Sequence, residues 1–514
     1  MLPRSVSSAE RPGASVPPTS APGERPATAP AAPASAARIA LPVALVAFTV
    51  MAIGATRRQM WFDETVTRLV AGISWRDFWR MLDDVDLVHA LYYVAMRLWT
   101  AAVGDSPLTL RLPSMIGMAV AAGALTVLGR KLYGTNVGVA AGLLFVAIPS
   151  VSRYGQEARS YAWMVALAVL ATLALTWALD RPSWRRFLLY GGCLLVLTYL
   201  HFVAAMVLAA HVLMVWRAVR QGGGLRTLGM WSVTVLLLAL AAAPFLYEAS
   251  TQSAQVSWIS RDGQAVVAFP KDLFGSAAIG WALVSTALLG TVVLWYSRRA
   301  LILPLLVWAV LPPVFCYLSY PLVHLFHGRF VLFTLPAWSL LAAVAIAGPV
   351  SGLRRTISPV RAVAALAPAL LAFAAAGVPG QVEARRSEAD FRAAAGLIDQ
   401  RYQPGDGIAY SGWRGSCCLR LPMAYQLRAK PRDVFVAVPP VRSGGYWAIE
   451  CWDPAPCVGD TRRIWLVASA PWDPYQGLSS ARADLLRREF TVASTDQLHG
   501  VSVMLLVRGA TDDA

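Results

Sequence analysis

Trp61-Phe62-Asp63-Glu64 places two carboxylates directly after the first long apolar run of the chain. A carboxylate beside hydrocarbon is costly and is usually functional. The chemistry open to such a group is proton abstraction from a hydroxyl at the lipid–water boundary. Consecutive residues on a helix point roughly 100° apart, so Asp63 and Glu64 cannot share one role. One can face a reacting hydroxyl while the other caps, pairs or orients. The bland reading is equally open, in which both cap an interfacial helix or pair with Arg57 or Arg58. A second acidic group follows at Asp83, Asp84 and Asp86. It suits oxygen coordination of a divalent cation, but more often such a run is a solvated turn.

Arg111, Arg159 and Arg329 each stand where a polar turn meets an apolar run. Guanidinium groups there suit a phosphate, which they grip in planar, bidentate fashion. Snorkelling from a helix end is the ordinary explanation for any one of them. His324 and His327 have i, i+3 spacing but no convincing metal pattern, so no metal ligand set is assigned. Help from a divalent metal remains open.

The elements that must hold these residues are membrane spans. The chain is 57% hydrophobic and only 14% charged, against roughly 25% charged in soluble domains. The formal charge of +16 falls in short clusters between apolar runs. That distribution fits the positive-inside rule rather than nucleic-acid binding. Residues 1–36, rich in Pro, Ala and Ser, read as a disordered cytoplasmic tail. Eleven spans are expected, at 37–55, 113–128, 135–150, 162–179, 187–200, 203–216, 230–247, 277–296, 301–320, 330–349 and 362–378. With the basic linkers 129–131, 181–186, 217–226, 298–299 and 354–361 inside, the polar turns face out. Those turns carry Glu157, Arg159, His201, His327 and Arg329.

The expectation is therefore a mainly α polytopic bundle over 37–379, with the N-terminus inside and the C-terminus outside. Its first outer loop, 56–109, contains apolar residues at helical spacing that suit helices lying in the interface. His89, Tyr92, Tyr93 and Arg97 mark 89–103 as a further interfacial helix rather than a crossing. Residues 380–514 read as a small extracytoplasmic α/β domain, with strands at 464–469 and 501–507 and helices at 389–401 and 479–490. Its cysteines, Cys417, Cys418, Cys451 and Cys457, suit disulfides in an oxidising space, and four cysteines allow three full pairings.

Six pieces in order resemble bacterial GT-C glycosyltransferases of the protein-mannosyltransferase-like group. They are WFDE at 61–64, VHALYYVAMRLW at 88–99, GDSPLTLRLPS at 104–114, GRKLYG at 129–134, RYGQEARSYAW at 153–163 and HGRFVLFTLPAW at 327–338. Ala90 and Leu91 replace the paired prolines usual in the second piece. The resemblance implies transfer of a sugar from a polyprenyl-phosphate donor on the outer face, with inversion and with mannose as the default sugar. The acceptor would be a protein hydroxyl or an envelope glycan, and membrane lipids would be the surroundings. It implies Asp63 as general base assisted by Glu64. Arg111, Arg159 and Arg329 would hold the donor phosphate, and His89, Tyr92, Tyr93 and Glu157 would contact substrate. A flippase for a lipid-linked saccharide would instead place polar residues near the membrane midplane. An inactive scaffold would not need the acidic and arginine motifs.

Overall fold

The computed structural model describes residues 33–297, 302–352, 359–412, 417–470 and 473–509. The tail through residue 32, the linker 298–299 and most of 354–361 lie outside the described residues. Each of the eleven expected intervals holds a helix, from the 12 residues of Val207–Ala218 to the 28 of Gly224–Thr251. Among the described residues six helices, or seven with one bent pair, are long and apolar enough to cross a bilayer. One of those runs, Phe202–Thr251, contains two expected spans, because the chain breaks at Gly222 with φ +102 between Val207–Ala218 and Gly224–Thr251. The shorter helices Trp184–Leu200 and Ile302–Leu318 have 17 residues each, about 26 Å at 1.5 Å per residue, just under a hydrocarbon core. The protein is a multi-pass helical membrane protein.

The central helices Pro107–Tyr133, Tyr161–Asp180 and Gly328–Gly348 are mostly buried, whereas Leu366–Ala384 and Phe202–Thr251 leave most of their apolar surface outside. Apolar surface turned outward is what a bilayer covers. Small residues let the inner helices approach closely. A Cβ on Gly129 would lie 2.8 Å from Cα of Gly138 on the next helix.

One bend shapes one end of the bundle. Thr135–Ala147 and Pro149–Gly155 meet at 68°. Pro149 forces the preceding Ile148 out of the helical region, to ψ 122. The chain thus turns beneath that end and delivers residues 156–160 there.

The first loop folds as Phe62–Gly72, Trp75–Asp84, a single 3-10 turn at Leu87–His89 and Ala90–Val103. Val66, Val70, Phe78, Met81 and Leu82 form its buried side. Arg97 closes the end of Phe62–Gly72 by donating to the carbonyls of Val70 at 2.6 Å and Ile73 at 2.8 Å. Ala90–Val103 has 14 residues, about 21 Å, which is too short to cross. Ala90 and Leu91 simply continue the 3-10 turn into this helix.

The last long helix, Pro359–Ala384, runs past the expected boundary at 379. Beyond it lies a five-stranded sheet. Its strands are β1 Gly407–Ser411, β2 Arg432–Asp433, β5 Arg463–Ser469, β6 Phe490–Leu498 and β7 Val501–Arg508, in the order β2-β1-β5-β7-β6. β1 lies parallel to β2 and β5, while β7 is antiparallel to β5 and β6. A separate pair, β3 Val436–Val438 with β4 Ile449–Glu450, carries the segment between them toward the membrane loop. Cys451 and Cys457 form a disulfide, and the side chain of Cys417 lies outside the described residues. Gln59 ties the two parts together. It donates to Asp390 at 2.7 Å and accepts from the Arg392 amide at 2.8 Å.

Candidate active site

The first turn of helix Phe62–Gly72 carries both carboxylates. Their side chains diverge. Glu64 turns inward and is fully buried with Arg111. Arg111 donates from Nε to Glu64 Oε1 at 2.7 Å and from Nη2 to Oε2 at 2.6 Å. Its Nη1 donates to the carbonyls of Ala55 at 2.6 Å and Arg58 at 2.9 Å, and Nη2 also reaches Gln59 O at 3.4 Å. All five guanidinium hydrogens thus have partners. Glu64 Oε1 also accepts from the Ala158 amide at 3.1 Å. This departs from the sequence expectation for Arg111, which has no donor left for a phosphate. It staples the first loop to the helix Pro107–Tyr133.

Asp63 turns the other way, into a cavity of about 800 Å³. Arg329 Nη1 donates to Asp63 Oδ2 at 3.1 Å, and both side chains are partly open. Arg329 stands at the start of the irregular helix Gly328–Thr334 and packs near the rings of Trp258, Phe330 and Trp61. Its Nε is buried without a hydrogen-bond partner. The Gly328 amide is fixed by Asp272, which also pairs with His327 at 3.0 Å. The His327 and glycine-amide hydrogen bonds outweigh the burial of Asp272 and lower its pKa. His327 therefore anchors the arginine's loop. His324 bonds Ser257 O instead, at 3.0 Å. Among the described residues no group of three or more His, Cys, Asp or Glu is placed to hold a metal ion.

Arg159 lines the same cavity and is only 6% exposed. It donates from Nη1 to Tyr93 OH at 3.0 Å and from Nη2 to His89 Nε2 at 2.7 Å. Both partners are neutral, and among the described residues no carboxylate forms an ion pair with it. Burial disfavours its charge, but Tyr93, Asp63, Tyr161 and Asp86 around it outweigh burial and raise its pKa. Burial, and then Arg159 itself, drive the His89 pKa well below its ordinary value. Since the guanidinium can only donate, His89 Nε2 accepts and the ring proton sits on Nδ1.

Tyr93 passes the network on. Its hydroxyl donates to Asp86 Oδ2 at 2.6 Å. Asp86 is buried and takes the left-handed conformation, with φ 62, which aspartate tolerates. Burial raises its pKa against the opposing pull of Arg159 and Tyr93. The acidic run at 83–86 thus splits: Asp83 and Asp84 face solvent while Asp86 enters the site. Tyr446, from the C-terminal domain, reaches Asp86 Oδ1 at 3.5 Å. Gln252 accepts from the Leu87 amide at 3.0 Å and holds the turn in place.

Tyr92 and Glu157 do not line the cavity. Tyr92 is buried one helical step from Tyr93. Glu157 lies beneath the site with Arg58 Nη1 at 3.5 Å from its Oε2. Burial pushes its pKa up to about 7, with Arg58 and Arg153 pulling the other way. His201 lines the cavity beside Phe330 and Tyr161. The C-terminal domain supplies the remaining wall, including Phe391, Cys418, Tyr446 and Trp447.

Solved structures similar to this chain include ArnT from Cupriavidus metallidurans, in the apo state and bound to undecaprenyl phosphate. The apo structure superposes with a TM-score of 0.57 and the bound one with 0.56. Each is 12% identical, over 92% of this chain and 98% of that chain. At this identity the likeness is one of fold: the chain has an ArnT-like fold over that length. No protein-family model matches the chain, and no curated protein does.

Proposed function

We propose that the protein is a membrane glycosyltransferase that moves a sugar from a polyprenyl-phosphate donor to an envelope acceptor, with Asp63 as general base. The observation that carries this reading is the convergence of Asp63, Arg159 and Arg329 on one cavity from three distant parts of the chain. The ArnT structure of the same fold holds undecaprenyl phosphate, which supports a lipid phosphate as the ligand. The cavity faces outward in this reading. Helix Pro107–Tyr133 carries Arg111 at the cavity end and Arg130 and Lys131 at the other, where the positive-inside rule puts the cytoplasm.

The reaction follows from the residues. Arg159 and Arg329 hold the donor phosphate and stabilise the charge that grows on it as the anomeric C–O bond breaks. The incoming phosphate competes with Asp63 for Arg329. That frees the carboxylate to accept the acceptor's hydroxyl proton. The acceptor oxygen then bonds to the anomeric carbon from the side opposite the phosphate, inverting it. The lipid phosphate departs, and the proton leaves through Asp63 to solvent. Glu64 keeps the helix turn in place and takes no proton. His89 and Tyr93 orient Arg159. Mannose is the default sugar, and the acceptor is a glycan or a protein hydroxyl.

The test is release of undecaprenyl phosphate from undecaprenyl-phosphate-mannose by the purified full-length chain in proteoliposomes, with an envelope extract as acceptor. Asp63→Asn should lower the rate about 10²–10⁴-fold. A near-normal rate would remove Asp63 from the mechanism. Passage of labelled donor across the bilayer without covalent product would favour a flippase.

A further inference from the structure

We propose that the loop 439–447 of the C-terminal domain is an acceptor-binding element, and that Trp447 is a stacking platform for a carbohydrate ring. This rests on the glycosyltransferase reading and names the acceptor class within it.

Trp447 lines the cavity, yet its side chain is 44% exposed. It lies beside Phe62, the residue next to Asp63, with ring centroids 5.7 Å apart and planes tilted by 31°. Tyr446 completes the cluster at 4.7 Å from Trp447 and 5.8 Å from Phe62. Phe62, Tyr446 and Trp447 thus form an aromatic patch on the wall of the cavity that Asp63 also lines. Sugar rings have an apolar C–H face that packs on indole, while their hydroxyls remain free at the edge. A flexible peptide offers no such face at its serine or threonine.

The loop is also built to hold its shape. Val441 sits at φ 71, a conformation that is a true outlier for a β-branched residue and marks functional strain more often than chance. It is fixed there by its amide donating to Gly445 O at 2.6 Å and by Arg80 Nη2 donating to its carbonyl at 3.2 Å. Gly444 has φ +85, and a Cβ on it would collide with the Asp84 carboxylate. Ser443 Oγ donates to the Trp447 carbonyl at 2.5 Å. The C-terminal domain and the first membrane loop thus jointly set the position of one exposed indole on the cavity wall.

The experiment is saturation-transfer NMR on the full chain in phosphatidylglycerol nanodiscs. The probes are methyl α-D-mannopyranoside, methyl β-D-glucopyranoside and a short threonine-rich peptide. The expected result is transfer to ring C–H protons of at least one glycoside. Its affinity should fall about three- to ten-fold in Trp447→Ala and recover in Trp447→Phe. Undecaprenyl phosphate binding should persist in both variants, which shows that they fold. Absence of glycoside contact in the parent overturns the proposal. So does unchanged affinity in Trp447→Ala, loss of lipid binding together with glycoside binding, or Trp447-dependent binding of the peptide instead. If Arg159→Ala leaves undecaprenyl phosphate binding intact, the donor reading fails separately, whatever Trp447 does.

Discussion

Glu64 and Asp63 are neighbours in one helical turn, yet their arginine partners live in opposite surroundings. Arg111 spends every N–H on Glu64 and three carbonyls, and it does not line the cavity. Arg329 makes one hydrogen bond to Asp63 on a cavity wall and leaves its Nε unpartnered. Arg159, across the same cavity, has neutral side chains as its hydrogen-bond acceptors among the described residues. The first arrangement is saturated and can only hold; the second is unsaturated and can bind. Arg111 thus differs from Arg159 and Arg329 in two ways: its donors are all used, and it does not line the cavity.

Arg111→Ala gives the largest expected effect, because it leaves Glu64 buried without compensation. The loss should be about 3–5 kcal/mol, seen as a collapse in apparent Tm and in the yield of monodisperse protein. A well-folded Arg111→Ala protein with impaired lipid binding would break the comparison. Arg159→Ala should do the reverse. It removes a cation held by neutral hydrogen-bond partners and by the more distant Asp63 and Asp86, so the Tm loss should be well below that of Arg111→Ala while transfer falls about 10²–10³-fold.

Glu157 sharpens the comparison through pH. Its carboxyl is raised from 4.5 to about 7 in the folded protein, mainly by burial. The folded state therefore holds its proton more tightly than the unfolded one. The stability this provides is complete below pH about 4.5 and is lost as pH rises through about 7, by about 3 kcal/mol. Glu157→Gln should flatten that part of the Tm-against-pH curve. An unchanged slope would show that Glu157 is ionised throughout. The smallest effect is expected from Tyr446→Phe. It removes one long hydrogen bond to Asp86, worth about 1 kcal/mol at most, and should raise the acceptor KM more than it lowers kcat.

Much of this was legible in the sequence, and the reasons differ by residue. Hydropathy places the helices because lipid demands long apolar runs, and a charge beside such a run singles out Asp63. Arg111 and Arg159 look alike in sequence, since each opens a span at a polar edge. Only the folded partners tell them apart, and those lie 47 to 70 residues away. Asp86 was hidden in its run because its fate depends on one left-handed residue. The short strands β2, β3 and β4 carry too few residues for periodicity to register. Tyr446 and Trp447 reach the site by a loop whose register no local pattern sets.

The most direct measurement of the central claim is a crossed pair of near-isosteric variants, Asp63→Asn and Glu64→Gln. Apparent Tm and transfer per folded molecule would be read on the same preparations with undecaprenyl-phosphate-mannose. Asp63→Asn should keep its Tm and lose transfer, while Glu64→Gln should lose Tm and keep transfer. The opposite crossing, with Glu64→Gln stable and inactive and Asp63→Asn active, would contradict the division of labour across this helical turn.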